Sequence, residues 1–114
     1  MTRLSKTLIA GALVFGFSNN VLAECEAPSA PIIPDGNVAS QDELISAQGA
    51  FKAFEKNFYD YRDCLQEKEK AILPDAEDAE AQKAAIVEAD NVAFDELNRV
   101  AVKFNAAVSA FKAR

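Results

Sequence analysis

From Ser40 onward the apolar positions settle into a single helical rhythm. Leu44, Ala47, Phe51, Phe54, Phe58, Tyr61, Leu65, Lys68 and Ile72 recur at alternating steps of three and four, a heptad seam with one polar defect at Lys68. Ser40 and Glu43 form an S-x-x-E capping box at its start, and Asp42 and Glu43 suit the positive end of the helix dipole. Pro74 pushes the residue before it out of helical backbone, which predicts a first helix over about 40–73.

A second helix is expected over about 75–112. Asp75 is its candidate cap, Glu77, Asp78 and Glu80 crowd its first turn, and neither proline nor glycine follows. Its apolar stripe comprises Ile86, Ala93, Leu97, Val100, Phe104, Ala107 and Phe111, flanked by Val87, Phe94, Ala101 and Val108. That face is too wide for one neighbour. Two long helices with so short a connection must run antiparallel, so the expected fold is all-α, an antiparallel two-helix hairpin. A turn at Pro74 sets Phe51 near Leu97, Leu44 near Phe104, and Asp90 opposite Phe58 and Tyr61. Asp90 is then read as a structural residue at the edge of the stripe, reaching water or accepting a bond such as one from the Tyr61 hydroxyl.

Ahead of the helices lies an arm, "ECEAPSAPIIPDGNVA", from Glu24 to Ala39. Pro28, Pro31 and Pro34, spaced by three, favour extended polyproline-like backbone. Asp35-Gly36 then reads as a turn in which glycine tolerates positive φ. Phe111 projects past the start of the first helix, and Ile32, Ile33 and Val38 are available to cover it. An arm packed as a third layer would account for the breadth of the second helix. The P-x-x-P spacing also fits SH3-type grooves, but no basic residues flank it.

The first residues, "MTRLSKTLIAGALVFGFSNNVLA", place Arg3 and Lys6 before an apolar run from Thr7 to Phe17. This is the pattern of a secretory signal peptide over 1–23. As a helix the run would rise about 16 Å, roughly half of a hydrocarbon core, so no stable membrane anchor is expected after its removal. Val21 and Ala23 fit cleavage between Ala23 and Glu24. A lipoprotein would need a small residue directly before Cys25, where Glu24 stands. Residues 24–114 then form one small domain.

Charge narrows the function classes. Without Arg3 and Lys6, ten cations face eighteen acids, a net charge of −8. Phosphate backbones and anionic lipid are repelled, so neither nucleic acid nor a membrane surface is an expected partner. No histidine is present, and Cys25 and Cys64 are too far apart for a C-x-x-C redox pair or a clustered metal site. No phosphate loop, haem ligand set or Cys-His pair appears, so neither a cofactor nor a catalytic residue is assigned. The acidic residues about the turn lack the spacing of an EF-hand loop. In a small exported domain two cysteines read as one structural disulfide, Cys25–Cys64, with intermolecular pairing as the alternative. The arm is long enough to double back along the first helix to Cys64, on the flank shared by Glu43, Ala50 and Asn57. Closing that loop is worth about 3 to 4 kcal/mol.

The framework C-x-x-P-x-x-P-x-x-P-D-G from Cys25 to Gly36, followed by Ala39-Ser40 and by Tyr61-Arg62-Asp63-Cys64-Leu65, resembles a family of small exported proteobacterial proteins of uncharacterised function. The resemblance covers roughly residues 25–65. It implies an exported, disulfide-tied helical protein of the Gram-negative periplasm, or a secreted one, and it supplies no catalytic residues.

The reading is thus of a non-enzymatic interaction or structural protein. Its hairpin would present a helical face, chiefly of the second helix, to a protein partner or to its own copy. Tyr59, Val87, Phe94 and Val108 are the candidate surface residues. The alternative is a periplasmic chaperone that shields apolar segments of its clients.

Overall fold

A computed structural model describes residues 25–114. The signal segment and the cleavage site at Ala23 and Glu24 lie outside the described residues. Two helices are present, α1 (Gln41–Lys70) and α2 (Ala79–Ala113), packed side by side as a hairpin, with no strand among the described residues. Ser40 caps α1 as its sequence implies. Its hydroxyl accepts from the Glu43 amide at 3.0 Å, and the Glu43 carboxylate accepts from the Ser40 amide at 2.8 Å.

The heptad seam forms the core. Leu44, Ala47, Phe54, Phe58, Tyr61 and Leu65 are buried on α1, and Ala79, Ile86, Ala93, Leu97, Val100 and Ala107 on α2. Phe54, Phe58, Leu65 and Val100 are the largest side chains lost wholly to solvent. Each such apolar residue contributes about 1.5–3 kcal/mol through burial. Among the described residues no charged side chain is fully buried.

The connection is longer than the sequence implies. Helix α1 ends at Lys70, where Ala71 and Ile72 donate to carbonyls only three residues back, Lys68 and Glu69, at 3.2 Å each. Pro74 and Asp75 are then the central residues of a β-turn in which Ala76 donates to the Leu73 carbonyl at 3.0 Å. Asp75 therefore does not cap the second helix. A further turn closes from Ala79 to Ala76, and α2 starts at Ala79 after Asp78, whose side chain makes no cap hydrogen bond. Ile72 still packs against the core from within the connection.

The added turns shift the register by one to two helical turns. Phe51, which the sequence sets near Leu97, stacks on Phe104, with ring centroids 6.2 Å apart and an interplanar angle of 6°. Leu44 joins Ala39, Ala107, Ile33 and Phe111 in a second apolar cluster, and does not meet Phe104 there.

Cys25 and Cys64 are bridged within the chain, with Cα atoms 5.6 Å apart. This anchors the arm on α1, and Ala30 and Ile33 then pack into the interhelical core. The arm starts beside Asn57 and Cys64, then crosses the groove to α2, ending against Ala106, Ala107 and Ala110. It leaves the Glu43–Ala50 flank exposed, contrary to the expected path along that column. Among the arm's apolar residues Ile33 reaches the Phe111 cluster, whereas Ile32 and Val38 point to solvent, 94% and 77% exposed.

The alanines of α2 explain the crossing. Ala89 and Ala93 border the start of the arm and Ala106, Ala107 and Ala110 its end, so short side chains let the arm's backbone lie close. Gly36 marks the closest approach. A Cβ at this position would fall 2.6 Å from the carbonyl carbon of Ala107. The backbone there is not left-handed, so glycine is required for space and not, as the Asp35-Gly36 pair implied, for positive φ.

Candidate functional site

The arm fills one of the two grooves that run along an antiparallel helix pair. The other groove is open, and an aromatic cluster lies along it. Phe58 projects from α1 and Phe94 from α2, their ring centroids 6.3 Å apart, while Tyr59 meets Phe58 edge-on at 5.2 Å. Phe51 and Phe104 extend the line toward the start of α1. Tyr59 is 51% exposed, Val87 54% and Phe94 44%.

A bidentate ion pair crosses this groove. Arg62 Nε donates to Asp90 Oδ1 at 2.8 Å and its terminal nitrogen to Oδ2 at 3.0 Å. The same guanidinium lies 5.4 Å from the Phe58 ring centre and 6.0 Å from that of Phe94. The bonds to Asp90 hold Arg62 above its ordinary pKa, so the cation persists at any working pH. Tyr61, on the arm's side of the hairpin, has its phenol pushed up, first by burial and then by the Asp90 carboxylate.

The candidate surface residues fall out as follows. Val87, Phe94, Ala101 and Val108 recur every seven residues along α2 and so share one face. Val87 lines the open groove beside Arg62 and Asp90, and Phe94 packs on Phe58, so both border the ion pair. Val108 is half-buried and lies farther along the stripe. Tyr59 joins the patch from α1.

Two residues of this region were not identified from the sequence. The hydrogen-bond partner of Asp90 is Arg62, not the Tyr61 hydroxyl, because the longer connection moves α2 by about one turn against α1. Arg114, at the end of α2, is the second. It donates to the carbonyls of Gly36 at 3.0 Å and Ala39 at 2.7 Å and lies over the Phe111 ring, so it clamps the end of the arm.

The acidic tip is held by local partners. Gln82 donates to Asp78 at 2.8 Å, Lys70 lies 3.5 Å from Glu67, and Lys83 lies 3.9 Å from Glu80. Among the described residues no group of three or more His, Cys, Asp or Glu side chains is placed to hold a metal ion. None of the described helices is long and apolar enough to cross a membrane. The disulfide fits an oxidising environment. Comparison with family models, curated proteins and solved structures gives no match to this chain.

Proposed function

We propose that the protein is a non-enzymatic interaction protein of the bacterial periplasm whose open interhelical groove receives a helix. The observation that carries this reading is the exposure of Tyr59, Val87 and Phe94 around the Arg62–Asp90 pair, on the side of the hairpin that the arm leaves uncovered. A bidentate pair satisfies most of its own hydrogen bonds, so the centre of the patch is polar in composition but self-satisfied. An incoming helix with an apolar stripe could cover it without stranding a charge. This is the helix-in-groove mode of recognition, with aromatic anchors and an arginine at the centre. The export signal read over 1–23 and the Cys25–Cys64 bridge support a periplasmic location.

The helix is supplied by a protein partner or by a second copy of the chain, and one experiment separates the two. A photo-crosslinking residue is placed at Tyr59 or Phe94, with Ile32 on the arm as the exposed control, in the producing bacterium and in the purified protein. A single adduct formed from Tyr59 and Phe94, absent from Ile32 and abolished by Val87→Glu, supports the open groove. An adduct of twice the chain's mass in the purified protein identifies the second copy. A strict monomer with no position-dependent adduct in cells contradicts the reading.

A further inference from the structure

The arm is tied at its two ends and weakly held between them. At one end stands the Cys25–Cys64 bridge, and at the other the Asp35 turn seated on Ala107 and clamped by Arg114. Among the described residues no backbone hydrogen bond joins residues 26–34 to either helix. Inward packing along this stretch comes from Ala30 and Ile33, with Pro28, Pro31 and Pro34 beside them, and all five are only half-buried. With no residue of 26–34 fully buried and none bonded to a helix through its backbone, the stretch gains little to set against the entropy of ordering it. The helices depend on the bridge far less, since their seam is continuous from Leu44 to Leu65. We propose that Cys25–Cys64 is a redox latch: reduction frees the arm up to the Asp35 turn and uncovers the second groove of an otherwise intact hairpin.

The bridge is approachable from outside. A cleft of about 460 Å³ opens between the arm and α1, lined by Glu26, Pro28, Asn57, Asp60 and Cys64 among others. Cys64 is half-buried and lines it, whereas Cys25 is 7% exposed. A dithiol reductant entering there attacks the Cys64 sulfur. The S–S bond breaks, Cys25 leaves as a thiolate that takes up a proton, and a mixed disulfide forms on Cys64. The second thiol of the reductant then displaces Cys64, so two electrons pass to the protein and the reductant becomes a cyclic or intramolecular disulfide. With Cys25 freed, residues 25–34 have no covalent tie to α1 other than the main chain through the Asp35 turn to Ser40. Tyr61 and Ala93, buried beside Ala27 and Pro28, become the floor of an open apolar groove. Pro28, Pro31 and Pro34 keep the freed arm extended, which favours its return on reoxidation.

The latch is tested with 3-fluorotyrosine placed in the full mature chain, which carries only Tyr59 and Tyr61. Fluorine NMR and far-ultraviolet circular dichroism are recorded before and after dithiothreitol, and again after reoxidation. The expected result is a Tyr61 resonance that moves to the solvent-exposed position on reduction and returns on reoxidation, with the helical signal of α1 and α2 kept throughout. Cys64→Ser and Cys25→Ser should each show the reduced spectrum without reductant. A Tyr61 resonance that stays put in the reduced protein means the arm remains docked and overturns the latch. So does loss of the helices together with the bridge, which would make Cys25–Cys64 a staple of the whole fold.

Discussion

Arg62 and Asp90 meet across the hairpin through two parallel hydrogen bonds, of 2.8 and 3.0 Å, at the centre of its open aromatic groove. The pair fixes the register of α1 against α2 at the point where Phe58 and Phe94 touch. The Arg62 side chain is 38% exposed and that of Asp90 25%, so water and salt weaken the attraction. A double-mutant cycle of Arg62→Ala and Asp90→Ala, followed by urea unfolding, should give a coupling of about 1 kcal/mol at low salt. The coupling should shrink in high salt. Absence of coupling at low salt would mean the two side chains do not meet in solution.

The chain's two described helix-region and arm glycines should respond to alanine in opposite directions. Gly36 lies on the backbone of Ala107, and a methyl there forces the turn away from α2, at a cost of about 1–3 kcal/mol. Gly49 sits in α1 with nothing within 4 Å of a new Cβ. Gly49→Ala should therefore stabilise by about 0.5–1 kcal/mol through helix propensity and a more restricted unfolded chain. Thermal or urea unfolding of the two variants reads both signs.

Asp35 organises the turn that ends the arm. Its carboxylate accepts from the Asn37 amide at 2.9 Å and from the Asn37 side chain at 3.0 Å, and these bonds lower its pKa from the ordinary 3.8. A depressed carboxyl stabilises the fold above its unfolded pKa, and the contribution disappears as the pH falls through the lower folded value. The stability difference between the parent protein and Asp35→Ala should thus be constant above about pH 5 and shrink toward pH 2. A difference that grows on acidification would contradict the turn.

Arg114 closes the same turn from the end of α2. Arg114→Ala removes two hydrogen bonds to the carbonyls of Gly36 and Ala39 and should lower stability by about 1 kcal/mol, while leaving the helical signal unchanged. Combined with Gly36→Ala, its effect should be less than additive, because both substitutions loosen one contact.

The seam of α1 was legible because its periodicity is strict: six of the nine positions from Leu44 to Ile72 are buried and Phe51 stacks on α2. The capping box and the disulfide were legible for similar reasons, each resting on local spacing or on a count of cysteines. What escaped was set by how far the chain travels between helices. Pro74-Asp75 was read as a break followed by a cap, but Pro in the second position of a β-turn consumes the residue after it. That single misplacement turned Asp90 toward Phe58 and concealed Arg62. The path of the arm was hidden for another reason. Alanines at 89, 93, 106, 107 and 110 look like ordinary helix formers, and only packing shows that they leave room for a strand of backbone. Exposure of Phe94, unlike its place on the flank of the stripe, follows from which groove the arm takes.

The central claim is that one groove is closed by the arm and the other is open. Hydroxyl-radical footprinting of the oxidised mature protein, resolved to single residues by mass spectrometry, tests it most directly. Tyr59 and Phe94 should label readily, while Tyr61 and Phe54, 8% and 1% exposed, should be protected. Labelling of Tyr61 at the rate of Tyr59, or protection of Phe94 in a monomeric sample, would contradict the account.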